Sequence, residues 1–322
     1  MEPAVHVQEL RTINESRLEI LSIRWNQDDS LLAVGCSDGN IKTYLTLNFR
    51  LFKLLSNRSA TNMPVTSLSW RPEHEASDYT NTLLAATSDG WLLVWDVNSG
   101  SLLNSLRTPG DQCLCAEYSI DGTLIAAGCS DFTIIIYEAE ELSVVAQLDY
   151  GTGDKPGHSN RIFSFRWINE HGLLSGGWDD TIILWDIRSR QALATYYGPH
   201  ICGPGIDLRG DLILAASYSR SEQLQTFSIG KGTRVGVLTL GTQAQPCLLY
   251  SCQFSKADTR NFIAAVGREA LILKAQTMEP VYRSTAEKDF FCCDWAHHEN
   301  TVAVGSAAGF FKILQVEGGE EN

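Results

Sequence analysis

A histidine, a serine and an aspartate stand at positions 158, 175 and 179, the three residue types that relay a proton in nucleophilic acyl transfer. One sequence signature of such a triad is a serine on a sharp, exposed strand-to-helix turn. Ser175 instead lies inside Leu173-Leu174-Ser175-Gly176-Gly177, a run of bulky then small residues with no nucleophile-elbow pattern. Catalysis by this trio is disfavoured. His297-His298, Cys113-Leu114-Cys115 and Cys292-Cys293 carry metal-ligating atoms, but none has the paired spacing that closes a tetrahedral site. No phosphate-cradling glycine loop, H-E-x-x-H or EF-hand pattern can be read. The sequence predicts neither a bound metal nor a cofactor.

What the chain is built to present follows from its balance of residues. Hydrophobic residues make up 44% and charged residues 20% of 322, enough apolar material for a packed core and no case for disorder. Twenty-five Lys and Arg against 38 Asp and Glu give a formal charge of −13, which repels phosphate backbones and anionic lipid surfaces at long range. Nucleic acid and membrane are therefore poor candidates as first partners. No apolar run approaches the ~18 residues of a membrane span, and Met1-Glu2-Pro3-Ala4-Val5-His6 has neither a basic nor an apolar targeting region. Nine cysteines, an odd number set in apolar or small-residue runs, read as reduced and buried. The expectation is an intracellular protein of the cytoplasm, the nucleus or both.

Length alone suggests about two domains, but internal repetition overrides it. Seven segments end in a large apolar residue, at Trp25, Trp70, Tyr118, Trp167, Leu208, Phe254 and Trp295, at intervals of 45, 48, 49, 41, 46 and 41. Each is followed by a run of bulky then small residues, such as Leu31-Leu32-Ala33-Val34-Gly35-Cys36 or Leu124-Ile125-Ala126-Ala127-Gly128-Cys129. A tight turn and a third β-rich run come next, as in Asp89-Gly90-Trp91-Leu92-Leu93-Val94-Trp95, and a more polar fourth run closes the unit, as in Ser101 to Leu106. No segment of useful length has helical period. Four short strands recurring every ~45 residues predict the blades of a propeller.

These units resemble the WD40 repeat over nearly the whole chain. Trp95-Asp96 and Trp185-Asp186 supply the Trp-Asp dipeptide, and Tyr44, Tyr137 and Phe227 stand in the Trp place elsewhere. The resemblance implies an all-β, seven-bladed propeller occupying residues 1–322 as one domain. The seventh unit has only three strands before the acidic tail 317–322, while a β-like segment at about 4–12 precedes the first unit. That segment is expected to supply the outer strand of blade seven and cover an open edge. The resemblance also gives His158, Ser175, Asp179 and Trp185 a structural role as a buried hydrogen-bonded tetrad, in which every polar atom finds a partner. Asp38, Asp89 and Asp131 take the place of Asp179 in the turns of blades one to three, whereas Ser219 to Ser221, Arg268 and Ala308 fall there in blades five to seven.

In WD40 proteins the loops joining strands d to a and b to c form the usual docking face, and the residue before the turn aspartate points onto it. Those residues here are Ser37, Ser88, Ser130 and Trp178. Trp178 is the candidate recognition anchor, with Arg161 beside it and Tyr218 and Arg220 extending the patch from blade five, because Trp and Arg dominate interface hot spots. The competing reading has Trp178 folding over to cover apolar surface of the neighbouring blade. Polar loops at 56–64 and 149–157 lie on the docking face and 71–79 on the opposite one. The leading expectation is a non-catalytic scaffold, monomeric as a propeller, that holds protein partners in a larger assembly, the cytoskeleton included. The alternatives are a dedicated peptide-motif reader on that face and an enzyme with carboxylates converging in the central channel. Because carboxylate-centred networks are confined to blades one to four, amide exchange should be faster in blades five to seven; faster exchange in blades one to four in a hydrogen-exchange experiment rejects this.

Overall fold

The computed structural model describes residues 5–15, 18–56, 62–73, 80–149, 156–257 and 261–318. The loops 56–64, 71–79 and 149–157 fall partly outside them. The described residues form seven four-stranded antiparallel sheets and no helix. In each sheet the strands run a, b, c, d in order, and the a strands of all seven neighbouring pairs of blades touch, including those of blades 7 and 1. The sheets therefore close into a ring around a central channel.

The repeat explains this packing residue by residue. Strand a of blade 1, Ile20–Trp25, is buried except at the half-buried Leu21 and Arg24, while strand b, Leu31–Cys36, is buried throughout. A sheet flanked on both faces must be apolar on both. The small residues in the b strands are where the next blade presses closest. A Cβ on Gly35 would lie 2.8 Å from Val65 of blade 2, one on Gly176 would lie 2.6 Å from Ile201 and Ile206 of blade 5, and one on Gly305 would lie 2.6 Å from Ile20 of blade 1. Larger residues there would wedge the blades apart.

The bulky residue that ends each a strand has a second task. The indole N–H of Trp25 donates to Asp294 O of the preceding blade at 3.0 Å, that of Trp70 to Arg24 O at 3.0 Å, and that of Trp295 to Gln253 O at 3.2 Å. Trp167 reaches Glu117 O at a longer 3.4 Å. Beside these, backbone amides donate to side-chain acceptors of the previous blade: Leu68 N to Ser22 Oγ, Tyr118 N to Ser69 Oγ, Ile206 N to Ser164 Oγ and Phe254 N to Asp207 Oδ2. The ring is thus stitched blade to blade along its innermost strands. Where Tyr118 replaces tryptophan, its buried hydroxyl has no partner among the described residues.

Closure follows the expected route. His6–Asn14 pairs antiparallel with Phe310–Glu317, from His6 opposite Glu317 to Asn14 opposite Phe310, and becomes strand d of blade 7. Val5 and Val7 pack on the core of blades 6 and 7, and Ile13 on that shared by blades 7 and 1. Deleting residues 1–14 should lower the thermal unfolding midpoint by more than about 5 °C, because it bares the edge of the blade that closes the ring. An unchanged midpoint in a calorimetric scan contradicts this closure.

Candidate functional site

Blade 4 brings His158, Ser175, Asp179 and Trp185 together. His158 Nδ1 lies 2.8 Å from Asp179 Oδ2, His158 Nε2 lies 2.7 Å from Ser175 Oγ, and Trp185 Nε1 donates to the same oxygen at 2.7 Å. Asp179 also accepts from Ser159 N at 2.9 Å and from the Thr181 hydroxyl at 2.7 Å. Burial alone would raise the Asp179 carboxyl, but the bonds from His158 and Thr181 hold it below the usual carboxylate range. The order Asp–His–Ser is that of a catalytic triad, yet Ser175 is 0% exposed and its oxygen already accepts the indole N–H. This serine has no route to a substrate.

The other blades keep fragments of the network. Asp38, Asp89 and Asp131 hold their own turns through Asn40, Thr87 and Thr133. Ala85 and Ala127 stand where Ser175 stands in blade 4, so the buried Trp95 Nε1 and Tyr137 hydroxyl have no partner among the described residues. In blade 1 the buried Glu15 accepts instead from Tyr44 and Lys42. Blade 5 substitutes a neutral set, with His200 N donating to Ser217 Oγ at 2.9 Å and Leu240 N to Gln223 Oε1 at 2.8 Å.

One backbone bond marks the docking position in every blade. A residue just past strand b donates its N–H to a carbonyl on the approach to strand a: Ser37 to Glu19, Ser88 to Pro64, Ser130 to Gln112, Trp178 to Arg161, Arg268 to Leu248 and Ala307 to Asp289, and in blade 5 Tyr218, two residues past strand b, to His200, six before strand a. Arg268 therefore occupies the docking position, not the turn-aspartate position in which the sequence spacing places it. The turn of blade 6 is shorter, with one residue between strands b and c. The seven positions are small in blades 1–3 and 7 and large in blades 4–6.

A second row of side chains lies inside the first. In six blades a bulge leaves the second residue of strand a without a cross-strand partner, namely Leu21, Thr66, Leu114, Phe163, Tyr250 and Phe291. Bulges re-aim side chains in this way, and all six are half-buried. Trp178 stacks on Phe163 at 5.2 Å between ring centroids and on His200 at 6.0 Å, and the Arg161 guanidinium lies 5.1 Å from its ring centre. Its indole N–H points to Cys202 Sγ at 3.1 Å. Trp178 is thus braced by its neighbours and half-buried, covering apolar surface while presenting an edge. Tyr218 meets Tyr250 at 4.9 Å, and Tyr250 meets Phe291 at 4.9 Å edge to face. Gly203, which follows Cys202 in the chain, packs against Tyr250, since a Cβ there would lie 2.8 Å from Tyr250 O. The result is an aromatic arc across blades 4 to 7.

Arg220 does not extend the Trp178 patch. It is exposed and borders an adjoining groove of about 490 Å³ with Arg268, Leu248, Pro246 and Asp289. Sequence reasoning missed Phe163, His200, Cys202, Tyr250 and Phe291, although the recurrence of a large residue second in strand a was a usable signal. Burial pushes the Cys202 thiol up to about 11, against the lowering effect of the Trp178 N–H, so it is a protonated thiol rather than a nucleophile. The described cysteines are all free, and all but Cys202 are buried. His297 and His298 direct their rings apart, toward Lys256 Nζ at 3.3 Å and Gln27 O at 3.1 Å. Among the described residues no three His, Cys, Asp or Glu side chains gather into a metal site.

With this geometry the chain is a seven-bladed β-propeller whose repeats match WD40 family models. Residues 5–73 match the anaphase-promoting complex subunit 4 WD40 domain, and residues 100–138 and 152–186 match the WD domain, G-beta repeat. The U3 small nucleolar RNA-associated protein 21 homolog of Schizosaccharomyces pombe is 29% identical over 52% of this chain and 17% of its own length. The WD repeat-containing protein 91 homolog of Dictyostelium discoideum is 24% identical over 72% of this chain and 29% of its own. The guanine nucleotide-binding protein G(I)/G(S)/G(T) subunit beta-1 of Homarus americanus is 25% identical over 49% and 42%. The chain therefore spans less than half the length of each of these relatives.

The Ser175→Ala variant should be less stable by about 2–4 kcal/mol, because it strands the Trp185 N–H and His158 Nε2 in a buried site. Chemical denaturation reads this directly, and a loss below about 0.5 kcal/mol removes the tetrad as a source of stability.

Proposed function

We propose that this propeller is a non-catalytic scaffold that holds protein partners in a multiprotein assembly, with the docking face of blades 4 to 7 as its contact surface. The observation that carries the reading is the asymmetry of that face. Trp178, Tyr218 and Arg268 stand where the other blades carry Ser37, Ser88, Ser130 and Ala307, and the half-buried Phe163, Tyr250 and Phe291 line their inner side. Aromatic and arginine side chains held in place by their neighbours are the composition of binding hot spots, because little rotamer freedom remains to be lost on association. Arg161 over the Trp178 ring and Arg220 on the adjoining groove add directional charge.

Relatives lend the same reading support by name, since one matched domain is that of an anaphase-promoting complex subunit and one relative is a G-protein subunit. The acidic side chains of the channel favour a non-catalytic role as well. Glu117 and Asp207 share Arg166, and Asp294 is held by Lys256, Gln253 and an amide, which leaves no obvious acid and base pair. The aromatic walls also favour a narrower version of the proposal, a reader of one short peptide with an apolar anchor.

Affinity capture from the source cell tests the scaffold reading. Trp178→Ala and Arg220→Ala should each lose a subset of the partners retained by the wild type, while their unfolding midpoints stay within about 4 °C of it. Retention of every partner by both variants removes this face as the contact surface. Competition by a synthetic peptide from one captured partner separates the peptide reader from the broad scaffold.

A further inference from the structure

Among the described residues, blade 3 alone sets a cysteine opposite a cysteine across strands a and b. Cys113 faces Cys129 there, where the other registers read Ile20 and Cys36, Val65 and Thr87, Ile162 and Gly177, Leu249 and Gly267, and Phe290 and Ser306. The ladder fixes how the two approach. Cys129 donates its N–H away from strand a, to Thr133 O at 3.1 Å, and Ser130 N donates to Gln112 O at 3.1 Å, so Cys113 and Cys129 form a pair with no hydrogen bond between their own backbones. Such pairs bring their Cα atoms to about 4.5 Å, inside the range of about 4.4–6.8 Å that a disulfide spans. The two thiols are in hydrogen-bonding contact.

Both side chains are 0% exposed, and what covers them is thin. Gly110 lies over Cys129, since a Cβ there would lie 2.9 Å from Cys129 Cβ and 3.3 Å from its sulfur. That connection is held to blade 2 through Thr108, whose N–H and hydroxyl reach Gly90 O at 2.7 and 3.0 Å, while Pro109 and Asp111 on either side of Gly110 are exposed. Beyond Cys129, Phe132 has a φ of +73° at the turn position where blades 1, 2 and 7 place Gly39, Gly90 and Gly309. A bulky residue in the left-handed region is strained, and a strained turn beside an exposed connection opens more readily than the strands beneath it. Contact with Cys113, helped by the Thr108 and Thr133 hydroxyls, draws the Cys129 thiol below its ordinary range in spite of burial and the nearby Asp131, and the same contact pushes Cys113 up. Cys129 is thus the member of the pair that ionises. Cys36 lacks such a partner, and burial pushes it up to about 12.

We propose that Cys113 and Cys129 are a redox site, a dithiol that peroxide converts to a cross-strand disulfide beneath the blade 3 end of the docking face and that a thiol reductant restores. Opening of the connection at 108–112 admits hydrogen peroxide, which transfers one oxygen to the Cys129 sulfur, giving a sulfenic acid and one water. The Cys113 sulfur then attacks. The S–O bond breaks as the S–S bond forms, and the oxygen leaves as a second water with the sulfenic hydrogen and the Cys113 proton, so that two electrons have passed from the sulfurs to the peroxide. Where thiols are kept reduced, disulfides of this kind are transient and sense oxidant. The site stands apart from the aromatic arc of blades 4 to 7 and does not depend on the scaffold reading.

Peptide mapping of the intact, fully reduced chain tests this. After hydrogen peroxide under native conditions and blocking with N-ethylmaleimide, unreduced cleavage by glutamyl endopeptidase cuts after Glu117 and separates Cys113 from Cys129. Mass spectrometry should show one cross-link, joining residues 76–117 to 118–138, formed by the wild type and Cys115→Ala and lost in Cys113→Ala and Cys129→Ala. Amide exchange at 108–113 and 129–133 should slow at least about tenfold in the oxidised chain and recover with dithiothreitol. Should either of the last two variants fail to fold, the Cys115→Ala map decides alone, because it leaves Cys113 as the one cysteine of its peptide. A cross-link that needs Cys115, a cross-link that forms only after unfolding in urea, or exchange unchanged by oxidation overturns the proposal and leaves two ordinary thiols of the core.

Discussion

The bond from one blade's innermost strand to the carbonyl or side chain of the blade before it is the interaction on which the rest of the molecule depends. Each blade is a short sheet that cannot bury both faces alone, so its stability is borrowed from neighbours. Apolar contact supplies most of that attraction but fixes no register. Register comes from directional groups: the indoles of Trp25, Trp70 and Trp295 on the preceding carbonyl, and the hydroxyls or carboxylates of Ser22, Ser69, Ser164 and Asp207 on the following amide. These atoms sit where no water competes, so a blade rotated or slipped would leave several of them unpaired. The same strands carry the channel charges and the bulged aromatic residues. Positioning the wall and positioning the sites are one structural act.

The seven units are not equivalent in how they satisfy their interiors. Blade 4 completes a polar network around Ser175, blade 1 builds another from Glu15 and Tyr44, and blade 5 uses neutral serines and a glutamine. Blades 2 and 3 leave an indole and a phenol buried without a partner among the described residues. Sequence drift within repeats is tolerated because each blade needs only one workable solution, and neighbouring solutions barely interact. The docking face has diverged in the opposite sense, with large side chains confined to blades 4–6 on the outer row.

Much of the fold was legible in the residues because the repeat is carried by large effects. A bulky residue every ~45 positions, a bulky-to-small run after it and a spare β-like segment before the first unit each report burial or pairing, and burial is the strongest signal a sequence holds. The tetrad was legible for the same reason, since its four residues keep fixed spacing within one blade. The channel was not. Its wall is built around the residue before the bulky one that ends each repeat segment, which reads Arg24, Ser69, Glu117, Arg166, Gln253 and Asp294 with Asp207 just behind, a set with no shared type that acquires meaning only when seven blades face one another. Trp178 and Arg161 could be placed side by side, but His200 and Cys202 reach them from an irregular connection whose path no periodicity describes. Arg268 was misassigned because a shortened turn shifts the count, whereas a backbone hydrogen bond does not shift with it.

The pairing of His6–Asn14 with Phe310–Glu317 has a consequence for how the molecule is made. Within the ring, the strand made before all the others finds its permanent neighbour only after the last blade has emerged. Until then blades 1 and 7 each present a bare flank, and the early segment, largely solvent-facing in the finished ring, travels without a companion. Its few outward apolar residues make that wait tolerable, because little greasy surface is on offer for a stray encounter. Closure of the circle is for this reason the last step in building it, and the half-built arc is the species a chaperone would meet.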